Sequence, residues 1–194
     1  MIYAPDTVLR RWASPLGAID LAATPRGLAG LWFFDQRHRP PQLDTPGTWR
    51  LHDGAHAMLD RAEAELAAYF AGSRAGFGTP LDLPGATDFQ KAVWRALVAL
   101  PLGTTVSYGA LAVAVGRPTA VRAVGAAVGR NPVSIVVPCH RVVGSAGLLT
   151  GYAGGLERKA ALLALERGAA PATGMLTSTS TMTTAHEAFA GTMP

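Results

Sequence analysis

The stretch SYGALAVAVGRPTAVRAVGAAVG, Ser107 to Gly129, decides the fold. Ser107 is a favoured N-cap, and the residues after it predict a helix from Tyr108 to Val115 that Gly116 closes as a C′ glycine. Pro118 then takes a first-turn position of a second helix, along which Val121, Val124, Gly125 and Val128 stand at i, i+3, i+4 and i+7, with Gly129 after it. Two short helices joined at Gly116-Arg117 read as a helix-turn-helix. Upstream, Thr87 and Gln90 have the spacing of a capping box ahead of Phe89, Val93 and Leu97, so another helix begins there and stops at Pro101-Leu102-Gly103. Pro80, Pro84 and Gly85 mark a linker before it. The chain therefore divides near residue 86.

The first unit, residues 1–86, alternates short apolar runs with turn signals. Val8 to Ala13, Ala18 to Ala23 and Leu28 to Phe34 are three strands at hairpin spacing, separated by Pro15-Leu16-Gly17 and Pro25-Arg26-Gly27. A Pro-rich loop covers 35–49. Ala55, Leu59, Ala62, Leu66 and Phe70 then predict an amphipathic helix from His52 to Phe70, stopped by Gly72. In the second unit, 87–168, Val133 to Val137 suits a buried extended segment and leads into Pro138-Cys139-His140-Arg141. A glycine-rich loop spans Gly144 to Gly155. Leu156 to Glu166 is a last helix, with Leu156, Ala160, Leu163 and Arg167 on one face. Residues 169–194 hold many Ser and Thr and a single formal charge, Glu187, and are expected to form a disordered tail. The fold class is α+β: a small α/β domain followed by a mainly helical one.

Composition narrows the function classes. A chain of 194 residues with 49% hydrophobic and 15% charged residues is not wholly disordered. One cysteine excludes a disulfide within the chain and a multi-cysteine zinc cluster. The net charge of +4 is unevenly spread, because residues 88–168 carry nine basic against three acidic side chains. Fifteen of the 17 basic residues are arginine, which suits fork-shaped phosphate contacts; a GC-rich genome produces the same bias. Asp6 and the pair Arg10-Arg11 interrupt any signal-peptide stretch, and the uncharged run Ala96 to Gly116 is broken by Pro101 and Gly103. We expect a cytoplasmic protein without a membrane partner, whose lone thiol stays reduced.

Cys139 is thus the only thiol available for chemistry. Alone, such a residue reads as a small buried hydrophobe. His140 beside it and Arg141 next but one favour a thiolate nucleophile instead. A Cys, a His and a carboxylate such as Glu166 also describe a hydrolase relay, so the residues by themselves leave both chemistries open.

Val137-Pro138-Cys139-His140-Arg141-Val142-Val143, preceded by Gly129-Arg130-Asn131-Pro132 and followed by Gly151-Tyr152-Ala153-Gly154-Gly155-Leu156, resembles the active-site block of the O6-alkylguanine-DNA alkyltransferases. Phe89-Gln90, Val93-Trp94, Ser107-Tyr108 and Ala120 to Gly125 extend the likeness over about residues 86 to 168. The resemblance implies a ribonuclease-H-like N-terminal domain, a winged helix-turn-helix-like second domain, and a suicide reaction needing neither cofactor nor metal. In it, Cys139 takes the alkyl group from O6 of guanine or O4 of thymine. His140 receives the thiol proton through a bridging water, Glu166 orients and charges His140, Asn131 holds the adjoining turn, and Tyr108 protonates the leaving base.

The resemblance also implies that a monomer binds double-stranded DNA through the minor groove. Arg122 replaces the flipped nucleotide in the stack, the small flank Gly125-Ala126-Ala127 lies against the groove, and Gln90, Arg117, Ser145 and Tyr108 meet phosphates. Val142, Thr150, Tyr152 and Ala153 would wall the base pocket, with the β-branched Thr150 narrowing it against bulky groups such as a benzyl. The alternative from another class is a regulatory helix-turn-helix protein that binds alkylated DNA without repairing it.

Overall fold

The structure is a computed structural model that describes residue 3 and residues 6–44, 50–54, 56–83 and 85–168. Its N-terminal part is a sheet of order β3-β2-β1-β4, made of β1 (Val8–Ser14), β2 (Gly17–Thr24), β3 (Gly27–Phe33) and β4 (Arg50–Leu51). The first three are antiparallel neighbours joined by the two tight turns expected from Pro15-Leu16 and Pro25-Arg26. The short β4 is parallel to β1, and His52 N–H donates to the Leu9 carbonyl at 2.9 Å. That pairing holds residues 50–52 extended, so the helix expected from His52 begins only at Ala57, capped by His56. This α1 (Ala57–Phe70) buries Leu59, Ala62, Leu66 and Tyr69 against the sheet. The expected loop also contains a 3-10 turn, Pro41–Asp44.

The second part holds α2 (Asp88–Val98), β5 (Val106–Ser107), α3 (Tyr108–Ala114), α4 (Val121–Gly129), β6 (Val142–Val143) and α5 (Leu156–Glu166). Thr87 and Gln90 close a full capping box on α2. Ser107 caps α3, and Gly116 follows it at φ +70°, a conformation that costs glycine little. Pro118 stands outside the next helix: Ala120 N–H donates to Arg117 O at 2.9 Å, which closes a turn with Pro118 in its second position, and α4 starts at Val121. Gly129 is the last residue of α4 rather than its follower. The Trp94 indole donates to Ala127 O at 2.9 Å and ties α2 to α4. β5 and β6 form a small parallel ladder that the hydrophobic pattern is too short to announce. Among the described residues no helix is long and apolar enough to cross a membrane.

The two parts meet along β3. Its outer edge takes Leu81 and Val133 as parallel partners, with Leu31 N–H donating to Pro132 O at 2.9 Å and Ser134 N–H to Leu31 O at 3.0 Å. An open strand edge is thereby covered by the residues just before Cys139, and the stretch read as a linker becomes part of the sheet margin. One continuous apolar core runs from Leu21 and Leu31 to Val124 and Leu162. The expected extended segment 133–137 is extended only at Val133. Beyond it Ile135 adopts φ +69°, and the chain coils tightly, with Val137 N–H on Val133 O at 3.0 Å.

The buried face of α5 is Lys159, Leu162, Leu163 and Glu166, while Leu156 is exposed. This departs from the expected face of Leu156, Ala160, Leu163 and Arg167. Two charged residues sit inward because each finds buried partners, which outweighs their hydrophilicity. The tail 169–194 lies outside the described residues.

Candidate active site

Cys139 opens a single 3-10 turn, Cys139–Arg141, and is buried. Asn131, just past α4, shapes the chain leading to it. Its Oδ1 accepts from Val133 N–H at 3.0 Å, and its Nδ2 donates to Val137 O at 2.7 Å and to Cys139 Sγ at 3.0 Å. One amide thus folds the loop and aims an N–H at the sulfur.

His140 is fully buried, and its Nε2 lies 2.7 Å from Glu166 Oε1. A carboxylate accepts, so Nε2 carries the proton and Nδ1 holds a lone pair. Nδ1 is buried and bonds no group among the described residues. Glu166 is closely surrounded. Oε1 also accepts from Tyr69 Oη and Arg141 Nη2, each at 2.9 Å, and Oε2 accepts from Arg141 Nε at 2.9 Å and Gly103 N–H at 3.0 Å. Gly103 stands at φ +77°, and a Cβ there would come within 2.8 Å of the Glu166 carbonyl oxygen, so only glycine fits.

Burial governs the acidities. It raises the Cys139 thiol to about 11, against the Asn131 hydrogen bond and the charge of Lys159. The resting sulfur is therefore protonated near neutral pH. Burial pushes His140 below its ordinary value despite Glu166, so the imidazole is neutral and able to accept a proton. Burial also opposes ionisation of Glu166, but the hydrogen bonds from His140 and Arg141 outweigh it and hold the carboxyl well below the usual range. Burial and the nearby Cys139 raise the Tyr108 phenol, partly offset by a hydrogen bond with Thr150, and keep it a proton donor. Lys159, wholly buried, donates through Nζ to the carbonyl oxygens of Val142 and Thr150.

Cys139 faces a cavity of about 180 Å³ between Tyr108, Val128 and Tyr152, with Arg37 and His38 on the N-terminal side. Such a volume suits one planar base rather than a drug-sized ligand, for which ~300 Å³ is a floor. Tyr152 and Ala153 border this cavity. Arg37 secures them by donating from its backbone to Ala153 O at 3.0 Å and from Nη2 to Tyr152 O at 3.3 Å. Two residues expected on the wall are elsewhere. Val142 is fully buried behind it in β6, and Thr150 is exposed, reaching the site only through Tyr108. Any effect of Thr150 on a bulky group would therefore pass through that phenol.

Arg122 and Arg117 are exposed on and just before α4, and Ser145 is exposed in the loop after β6. Gln90 is partly buried, with its Oε1 committed to the Thr87 N–H in the capping box. Of the small flank on α4, Ala126 is exposed. Ala127 is buried and Gly125 lies against the Tyr108 ring, so the outer face of the helix is Val121, Arg122, Ala123 and Ala126. Among the described residues no three His, Cys, Asp or Glu side chains gather as a metal site would need.

The pattern of the 6-O-methylguanine DNA methyltransferase DNA-binding domain matches residues 88–168, and that of the ribonuclease-like domain of the same proteins matches residues 8–83. The methylated-DNA–protein-cysteine methyltransferase of Mycobacterium tuberculosis is 47% identical over 159 residues, covering 82% of this chain and 92% of its own. The chain belongs to the 6-O-methylguanine DNA methyltransferase family. A crystal structure of Mycobacterium tuberculosis OGT in complex with DNA superposes at TM-score 0.75 and 46% identity, covering 84% of this chain and 95% of that one. The O6-methylguanine-DNA methyltransferase of Pyrococcus kodakaraensis does so at TM-score 0.60 and 28% identity, covering 82% and 98%. Family membership and the α+β fold of a small sheet domain before a helical one are as the sequence led us to expect.

Within this methyltransferase frame, sequence reasoning missed three side chains. Arg141, read only as favouring a thiolate at Cys139, is a bidentate partner of Glu166 and also donates to Leu100 O at 2.7 Å. Lys159 was detectable, since Lys159, Leu162, Leu163 and Glu166 follow the i, i+3, i+4, i+7 spacing of a buried face. Tyr69 continues the buried spacing of Ala62 and Leu66 on α1, but nothing near it in sequence announced a partner 97 residues away.

Proposed function

We propose that this chain is a single-turnover DNA repair protein that transfers the alkyl group from O6 of guanine in duplex DNA to Cys139 Sγ. The observation that carries the reading is the Cys139 sulfur, set at a base-sized cavity with an Asn131 N–H on it and the buried His140–Glu166 pair one residue away. In the reaction the S–C bond forms as the O6–C bond breaks. The thiol proton passes to His140 Nδ1 through a water, the imidazolium is balanced by Glu166, and the electron pair of the broken bond goes to the base. The Tyr108 phenol supplies the proton that base takes up, and is itself reprotonated from solvent. A soft thiolate formed only at the moment of attack suits displacement at an alkyl carbon while sparing the resting protein from stray electrophiles.

The protein acts as a monomer in the cytoplasm, without cofactor, on O6-alkylguanine and O4-alkylthymine. It binds through the minor groove: the outer face of α4 has little volume at Ala123 and Ala126, as close approach to a narrow groove requires, and Arg122 enters the stack as the base turns out. Arg117, Ser145 and Gln90 contact phosphates, and Tyr152 and Ala153 frame the extruded base. The chain divides at residue 86 into an N-terminal domain and a domain that holds these contacts. Intact-mass analysis after incubation with an O6-methylguanine duplex tests the reading. One methyl on Cys139 without turnover is expected, and Cys139→Ala should retain DNA binding but accept nothing. Binding without a mass change would overturn it in favour of a damage-recognition protein.

A further inference from the structure

The Glu166 carboxylate receives one donor from outside the helical domain. Tyr69 lies on α1, 97 residues away in sequence, and its hydroxyl reaches Oε1 at 2.9 Å, the same oxygen that holds His140 Nε2 at 2.7 Å. Both tyrosine and carboxylate are buried. The same connection offers a natural comparison, because Arg74, four residues beyond the end of α1, donates to the backbone carbonyl of Glu166 at 3.0 Å and leaves the carboxylate alone. A phenol so buried beside a carboxylate is held far above its ordinary pKa and serves only as a donor.

We propose that Tyr69 is a positioning residue of the relay: its hydroxyl fixes the Glu166 carboxylate and restrains the pull of Oε1 on the His140 proton, so the ribonuclease-like domain completes the site that carries Cys139. Oε1 accepts from three donors, Tyr69, His140 and Arg141 Nη2, which share its lone pairs, so each weakens the others' hold. With Tyr69 present, Glu166 orients His140 without charging it, and the imidazole stays neutral until the thiol proton arrives. Without it, Oε1 favours the imidazolium more strongly. The other groups facing the pair are Arg141 and Cys139 on the 3-10 turn, Lys159 on α5 and Tyr152 in the glycine-rich loop, and the removal of one hydroxyl leaves all of them in place.

The inference rests on the proposed alkyl transfer, and its test separates the two. Tyr69→Phe in the full-length chain removes only the hydroxyl. The His140 ring is titrated by NMR, with His140→Gln assigning its signal, and the rate of methyl transfer from an O6-methylguanine duplex is followed against pH. We expect the His140 midpoint and the acid limb of the rate to move upward together by roughly half a unit to one unit, part of the worth of a hydrogen bond to a charged group. Arg74→Leu, which loses a contact to the carbonyl alone, should lower the melting temperature and leave both pH profiles where they were. If Tyr69→Phe melts lower but its His140 midpoint superposes on wild type or falls, Tyr69 merely packs and the proposal is overturned. If the wild-type protein transfers no methyl, the functional reading fails while the NMR titration still decides the role of Tyr69.

Discussion

Glu166→Gln isolates the charge of the relay from its shape. The glutamine occupies the same buried volume, but its single carbonyl oxygen cannot serve Tyr69, His140, Arg141 and Gly103 together, and its NH2 faces donors where an oxygen stood. Arg141, nearly buried, is left without a countercharge. Stripping one partner from a buried pair costs about 3 to 5 kcal/mol. At about 2 to 4 °C per kcal/mol for a chain of this size, the midpoint should fall by roughly 6 to 20 °C. Transfer should slow as well. Replacing the bond that steadies the imidazolium with a neutral one forfeits about 1.5 to 3 kcal/mol, or roughly ten- to a hundredfold in rate. Differential scanning fluorimetry gives the first number and single-turnover transfer well below the lowered midpoint the second. The pH sign follows from a carboxyl held below its unfolded value: its contribution is fully present above about pH 4.5 and is lost as pH falls through the folded pKa. The stability of wild type should therefore decline in that acid window and that of Glu166→Gln should decline less. A variant that melts within about 1 °C of wild type and reacts within about twofold of its rate would refute this account of the relay.

Three further outcomes follow from the same geometry. Methylation of Cys139 adds a carbon to a buried sulfur already in contact with Asn131 Nδ2, and overpacking costs about 1 to 3 kcal/mol, so the alkylated protein should melt about 2 to 12 °C lower, and an unchanged midpoint in paired melting curves counts against a tightly packed site. Because burial depresses His140, the transfer rate should hold as pH drops through the ordinary histidine midpoint near ~6.5 and fall only below it; a half-maximal rate at or above that value contradicts a neutral buried base. Arg122 is exposed, so Arg122→Ala should leave stability within about 0.5 kcal/mol while weakening reaction with duplex substrate far more than reaction of Cys139 with the free alkylated base, and equal losses on both would dismiss a role in base extrusion.

Local chemistry made much of this protein readable in advance. The hairpins of β1 to β3, the capping box on α2, the Ser107 cap and the span of α5 depend on contacts within a few residues, which a linear pattern records directly. Cys139 and His140 were legible as adjacent residues, whereas Asn131 was placed only by the family resemblance, although it reaches the sulfur across just eight positions. Departures arose wherever a distant strand or side chain took over the backbone. Residues 50–52 were claimed by β1, Leu81 and Val133 by the two ends of one strand edge, and the inward face of α5 by partners for Lys159 and Glu166.

The sequence by itself determined the order of the three long strands and the five helices, the one possible acceptor thiol and the concentration of positive charge in residues 88–168. Tertiary structure alone decided the state of that thiol and its base. Their acidities are set by burial, by the Asn131 N–H on the sulfur, by the Glu166 carboxylate on the imidazole and by the charge of Lys159, and desolvation is a property of the packed surroundings that no residue carries along its own stretch of chain.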